Sequence, residues 1–128
     1  LIHVQQTQET EPRTLLKQAL REGTADFIGE KISGGIINAL QHEYGNARES
    51  ALWEEFQREM SGTDVSRWLF QGDQSKDRPA DLGYYIGYKI CEAYYNRAED
   101  KAEAIRRILR RTEAEEFLKE SGYQPPER

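Results

Sequence analysis

Apolar residues recur along this chain at intervals of three and four positions, the spacing that lines one face of an α-helix. The clearest stretch predicts a helix over residues 14–33 that ends at Gly34-Gly35. The same spacing predicts helices over residues 46–60, 80–96 and 99–110, a last helix that ends at Gly122, and the end of a helix in residues 1–8. Strict apolar–polar alternation is scarce, so the chain is expected to be all-α, one domain over residues 1–128 with a loose tail at 124–128.

Composition excludes several classes of protein. The formal charge of −5 gives the chain no attraction to phosphate backbones, so nucleic acid is not an expected partner. Cys91 is the single cysteine, which excludes an internal disulfide and a zinc site built on cysteines, and its apolar surroundings predict a buried thiol. No apolar run reaches the roughly 20 residues that a membrane helix needs. A single cysteine does not distinguish the cytoplasm from the cell envelope, and any targeting region is expected to lie outside this chain.

The first residues fit part of a zinc-binding motif. Zinc hydrolases often use His-Glu-x-x-His on a helix, because residues four apart share a face and can hold one ion. Leu1-Ile2-His3 matches the last three positions, so the first histidine and the catalytic glutamate are expected immediately before Leu1. On this reading the chain is the C-terminal part of a larger domain. Glu22 and Asp26, one turn apart on the next predicted helix, are the nearest candidate partners for His3.

The interval between these residues resembles that of gluzincin peptidases, in which 18 or so residues separate the motif from a ligating glutamate. From Val4 to Arg21 this chain has 18 residues, and Glu22 begins a segment similar to Glu-Gly-x-Ala-x-Phe. The resemblance implies that His3 and Glu22 bind zinc and that Asp26 orients a ligating histidine. It also implies a donor for the oxyanion of the tetrahedral intermediate, for which Tyr84 and Tyr88 are the candidates and Tyr85 is not excluded.

The rest of the chain, notably residues 61–64, 68–70 and 78–95, resembles a bacterial family of predicted zinc-dependent proteases that is related to gliding-motility lipoproteins. The resemblance implies the helical C-terminal portion of a gluzincin-like domain. The intact parent would hydrolyse a peptide or protein substrate with zinc-activated water, and Arg78 would hold a substrate carboxylate. The fragment itself would be inactive and would bind zinc weakly or not at all. Substrate and oligomeric state stay open.

Two other functions compete with this reading. The first is a non-enzymatic binding or assembly domain of the cell envelope, built on a zincin-like scaffold that has lost its metal. The second is a helical interaction module with exposed Trp53, Phe56 or Trp68 as anchors, although the spacing of these aromatics is typical of a core.

Simpler roles also exist for the candidate residues. Glu22, Asp26 and Glu30 lie at i, i+4 and i+8, a pattern that is usually a solvated face. Tyr84 and Tyr88 have the spacing of core residues, and Arg78 has Asp77 and Asp81 as nearby counter-charges. Gly83 and Gly87 predict close approach of another backbone or a ligand to their helix. The pair His42-Glu43 does not complete a zinc motif, because Asn46 occupies the position of the second histidine.

Overall fold

The computed structural model of the chain describes residues 13–35, 38–71, 78–110 and 113–126. Within these ranges the chain folds into six α-helices, and no strand occurs in them. The helices are α1 Leu15–Ser33, α2 Ala39–Ala47, α3 Glu49–Glu59, α4 Leu82–Arg97, α5 Lys101–Leu109 and α6 Ala114–Ser121. The all-α prediction is therefore confirmed for the described residues, whereas a zincin architecture remains a prediction.

The centre of the fold is a close crossing of α1 and α4. Gly23 faces Gly87, and a Cβ atom built on Gly87 would collide with the carbonyl oxygen of Ala19. Further along, Thr24 lies against Cys91 and Phe27 against Tyr95, so the two helices run in the same direction. The prediction that Gly87 admits a neighbouring backbone is confirmed, and this contact sets the spacing between the helices that carry most of the candidate residues.

The ends of α1 follow from local chemistry. The side chain of Thr14 accepts a hydrogen bond from the backbone N–H of Lys17, which satisfies one of the free donors of the first turn. Gly34 ends the helix with φ of 77°, a left-handed conformation that glycine adopts without strain. The observed bounds lie within one residue of those predicted from the apolar pattern.

Helix α2 was not predicted, and the helix expected over residues 46–60 begins at Glu49. A turn at Arg48, with φ of −136°, separates α2 from α3. The apolar pattern missed α2 because Gly45 is the one buried residue among its nine, all of which the structure describes. A helix without an apolar stripe gives no periodic signal.

The burial of three aromatic residues overturns one functional hypothesis, the helical interaction module. Trp53, Phe56 and Trp68 are 8%, 0% and 0% exposed, so they are not surface anchors of an interaction module. Trp53 stacks on Phe56, and Phe56 meets the ring of Trp68 edge to face. Cys91 is fully buried, as predicted. Among the described residues no helix has the length and apolar character to cross a membrane.

Candidate functional site

Three carboxylates of α1 and two tyrosines of α4 lie along one side of the α1–α4 crossing. We call Glu22, Asp26, Glu30, Tyr84 and Tyr88 the polar cluster. The parallel packing of the two helices explains it, because residues four apart share one face of a helix, on α1 as on α4, and these two faces lie side by side. Four predicted site residues therefore lie together in the structure: Glu22, Asp26, Tyr84 and Tyr88. The fifth, His3, lies outside the described residues.

Glu22 and Tyr84 form the first pair of the polar cluster. The Glu22 side chain is 20% exposed and also lies 3.5 Å from the guanidinium of Arg21, measured from Oε2 to Nε. Partial burial, together with the nearby carboxylate of Glu22, raises the pKa of Tyr84 to about 12. The hydroxyl of Tyr84 is thus a protonated hydrogen-bond donor at neutral pH.

Asp26 is the most buried carboxylate of the cluster, with 7% exposure. Its Oδ2 atom accepts a short hydrogen bond from Nδ2 of Asn38, the residue before α2. Burial raises the pKa of Asp26, and the bond from Asn38 and the nearby His42 partly oppose that effect. In the described part of the chain Asp26 therefore joins α1 to the start of α2. Its orientation of a zinc-bound histidine stays a prediction.

Glu30 and Tyr88 form the second pair, two turns along α1 from the first. Burial, together with the nearby carboxylate of Glu30, raises the pKa of Tyr88. Tyr88 is 7% exposed, and its ring meets the edge of Phe27 at 5.4 Å between centroids. Tyr85 points elsewhere: its hydroxyl donates a 2.9 Å hydrogen bond to Oδ1 of Asn46. The core-packing role predicted for Tyr88 is confirmed, whereas a catalytic role for Tyr84 or Tyr88 remains a prediction.

His42 does not complete a zinc motif in the sequence, yet it lies beside the polar cluster. Its ring meets Tyr88 edge to face with 4.4 Å between centroids, and Tyr85 at 5.4 Å. Burial lowers the pKa of His42, and Glu30 and Asp26 oppose this effect. The sequence offered no local signal for this position, because the ring contacts of His42 are with Tyr85 and Tyr88 on α4, far along the chain.

Arg78 lies apart from the polar cluster, in the segment before α4. Its Nη1 atom is 3.1 Å from both carboxylate oxygens of Glu55, and its guanidinium stacks over Trp68 at 4.5 Å. Asp77, one of the partners expected from the sequence, lies outside the described residues. Because Glu55 offsets its charge, Arg78 serves the packing of α3 against the segment around Trp68; its contact with a substrate stays a prediction.

The residues that the structure describes supply too few ligands to hold a zinc ion. Within residues 13–35, 38–71, 78–110 and 113–126, no three His, Cys, Asp or Glu side chains converge as a metal-binding group. Glu22 could supply one ligand, since its carboxylate remains partly exposed. Asp26 is 7% exposed, and its Oδ2 atom already accepts a hydrogen bond from Asn38. The described residues alone thus do not make a zinc site.

Comparison with known proteins places the chain in a family. Neither the curated proteins nor the solved structures contain a match. The sequence model described as "Gliding motility protein GldB" matches residues 2–125. The match supports the expected relation to gliding-motility lipoproteins, but it brings no support for a zinc-protease family. Because the match spans nearly the whole chain, this chain belongs to the family of gliding motility protein GldB.

Proposed function

We propose that the chain is a non-enzymatic helical domain that serves binding or assembly in the bacterial cell envelope, in support of gliding motility. The observation that carries this proposal is that each carboxylate of the polar cluster interacts with a polar side chain of the protein. Asn38 donates a hydrogen bond to Asp26, and the carboxylates of Glu22 and Glu30 raise the pKa values of Tyr84 and Tyr88. Membership of the gliding-motility family supports the setting.

A comparison of repulsion and hydrogen-bond energies favours a structural role for these carboxylates. Like charges at i, i+4 on a helix destabilise it by roughly 0.2–0.5 kcal/mol per pair. A hydrogen bond to a charged group contributes about 1.5–3 kcal/mol. The bond from Asn38 to Asp26 alone outweighs two such repulsions, so the stripe of carboxylates on α1 is stable without a metal ion. On this proposal the polar cluster joins α1 to α4 and α2, and the helical scaffold presents its surface to a partner.

Zinc-dependent peptide hydrolysis is the second candidate, favoured by the position of Tyr84 beside Glu22. His3, Glu22 and a histidine upstream of Leu1 would hold the ion, which would supply an activated water when bound. Tyr84 would donate its hydroxyl proton in a hydrogen bond to the oxyanion, and its pKa of about 12 keeps that proton in place at neutral pH.

The chain offers a matched pair of variants that separates the two functions. Glu22→Gln and Glu30→Gln each keep the size of the side chain and one oxygen at its end, but only Glu22 stands at the candidate ligand position. Each variant is introduced into the full-length protein of a gliding bacterium, and colony spreading and the zinc content of the purified protein are measured. We expect the two variants to spread alike, at close to the wild-type rate, with equal zinc content.

Loss of spreading together with loss of zinc in Glu22→Gln alone would overturn the proposal and establish Glu22 as a ligand. A positive control shows that spreading depends on the folded domain. Gly87→Ala blocks the α1–α4 crossing, so it should abolish spreading. Normal spreading of that variant would indicate that the domain is dispensable for motility.

A further inference from the structure

Helix α2 is attached to the fold by few buried contacts. Gly45 is its one buried residue, whereas α3, the next helix, buries Leu52, Trp53 and Phe56 among others. Leu40, near the start of α2, is 62% exposed. An element with little buried apolar surface opens at a lower free energy than the global unfolding of the protein. Helix α2 is therefore the helix that should detach most easily from the α1–α4 pair.

The contacts that hold α2 are polar and aromatic. Asn38 donates to Asp26 just before the helix begins, and Nε2 of Gln41 donates a 2.9 Å hydrogen bond to the carbonyl oxygen of Ala80. The ring of His42 lies edge to face on Tyr88, and Gly45 packs directly against the ring of Tyr85. His42 is the titratable side chain that α2 places between these contacts, in a partly buried position.

Charged and titratable groups of two other helices face His42, with Tyr85 and Tyr88 against its ring. They are Asp26 and Glu30 on α1, and Lys89 and Glu92 on α4. The three carboxylates favour the charged imidazolium, but burial outweighs them and lowers the pKa of His42. With α2 detached, the ring would meet water and return towards the ordinary histidine value near 6.5.

We propose that α2 is a pH-dependent cover over the polar cluster, closed on α1 and α4 while His42 is neutral and opened when the ring takes up a proton. The sign follows from linkage, because the open state binds the proton more tightly than the closed state. The closed state is fully favoured above pH 6.5, and its advantage falls as the pH drops towards the lowered value. Opening would expose Asp26 and Tyr88 to solvent.

The test is amide hydrogen exchange of the full chain between about pH 7.5 and about pH 5, corrected for the intrinsic pH dependence of exchange. Protection of α2 amides should fall by up to about tenfold per pH unit below pH 6.5, since one proton is linked to opening. Amides of α3 serve as the internal control and should keep their protection. Constant protection of α2 over this interval, or an equal fall in α3, would overturn the proposal.

A variant isolates the role of His42 from that of the carboxylates. His42→Phe keeps an aromatic edge against Tyr88 but cannot take up a proton, so α2 protection should no longer depend on pH. An unchanged pH dependence in this variant would assign the effect to Asp26, Glu30 or Glu92 and refute the proposal. The pKa of His42, measured by NMR in the wild-type protein, provides a second check, because it must lie below 6.5 and the loss of α2 protection must begin above it.

Discussion

The hydroxyl of Tyr123 donates a 2.6 Å hydrogen bond to Oε2 of Glu49, although 74 positions separate the two residues. Both side chains are 8% exposed. Glu49 stands in the first turn of α3, where the helix dipole favours a negative charge. Tyr123 follows α6, and its ring packs edge to face on Trp53 at 4.9 Å. This contact fixes the C-terminal segment across the start of α3.

Tyr123→Phe removes this hydrogen bond and leaves the ring in place. It should lower the free energy of unfolding by about 1.5–3 kcal/mol, because the buried Glu49 carboxylate loses a donor. Urea denaturation of the wild type, Tyr123→Phe, Glu49→Gln and the double variant gives the coupling between the two side chains. Additive losses of stability would show that Tyr123 and Glu49 act independently.

Gly87→Ala tests the α1–α4 crossing. A methyl group at position 87 would collide with the backbone carbonyl of Ala19, which cannot move away without separating the helices. We expect a loss of about 3 kcal/mol or more of unfolding free energy, measured by urea denaturation. Gly62→Ala is the control: its Cβ would meet only the carbonyl oxygen of Glu59, at 3.5 Å, so stability should change little. Equal effects of the two changes would rule out a close crossing.

Local signals in the sequence predict the long helices and part of the candidate site. The apolar stripe and the glycines at its end determine α1, and the face shared by Glu22 and Asp26 follows from their four-residue interval. Gly83 and Gly87 likewise indicate a close approach. Each of these inferences depends on residues near one another in the chain.

Contacts between distant polar residues could not be predicted in this way. The bond from Asn38 to Asp26 depends on the direction in which the chain leaves α1, and Asn38 adopts a left-handed conformation with φ of 59°. The pairing of Arg78 with Glu55, 23 positions away in the chain, depends on the docking of α3. Polar partners are set by the tertiary fold, and neither periodicity nor spacing carries that information.

Arg78→Lys tests whether the guanidinium group itself stabilises the fold. Lysine retains the charge but cannot contact Glu55 and the carbonyl oxygen of Arg67 through two separate nitrogens, and it loses the planar stacking on Trp68. Unfolding free energy should fall by about 1–2 kcal/mol, again by urea denaturation. Arg67→Lys is the matched control, because Arg67 pairs with the same Glu55 but is 56% exposed. Its effect should stay within about 0.5 kcal/mol; a larger effect at Arg67 than at Arg78 would contradict this assignment.

Tyrosine ionisation should limit stability at alkaline pH. The pKa of Tyr84 rises from 10.0 to about 12 because burial and the Glu22 carboxylate disfavour the phenolate. A folded-state pKa above the unfolded value contributes stability below pH 10 that is lost as the pH rises towards 12. The free energy of unfolding should therefore fall as the pH rises through this interval. Tyr84→Phe should make this fall less steep, by an amount that corresponds to at most one bound proton. Glu22→Gln should lower the pKa of Tyr84 and so narrow the pH range over which stability is lost. A slope that neither change alters would show that the hydroxyl of Tyr84 does not interact with Glu22.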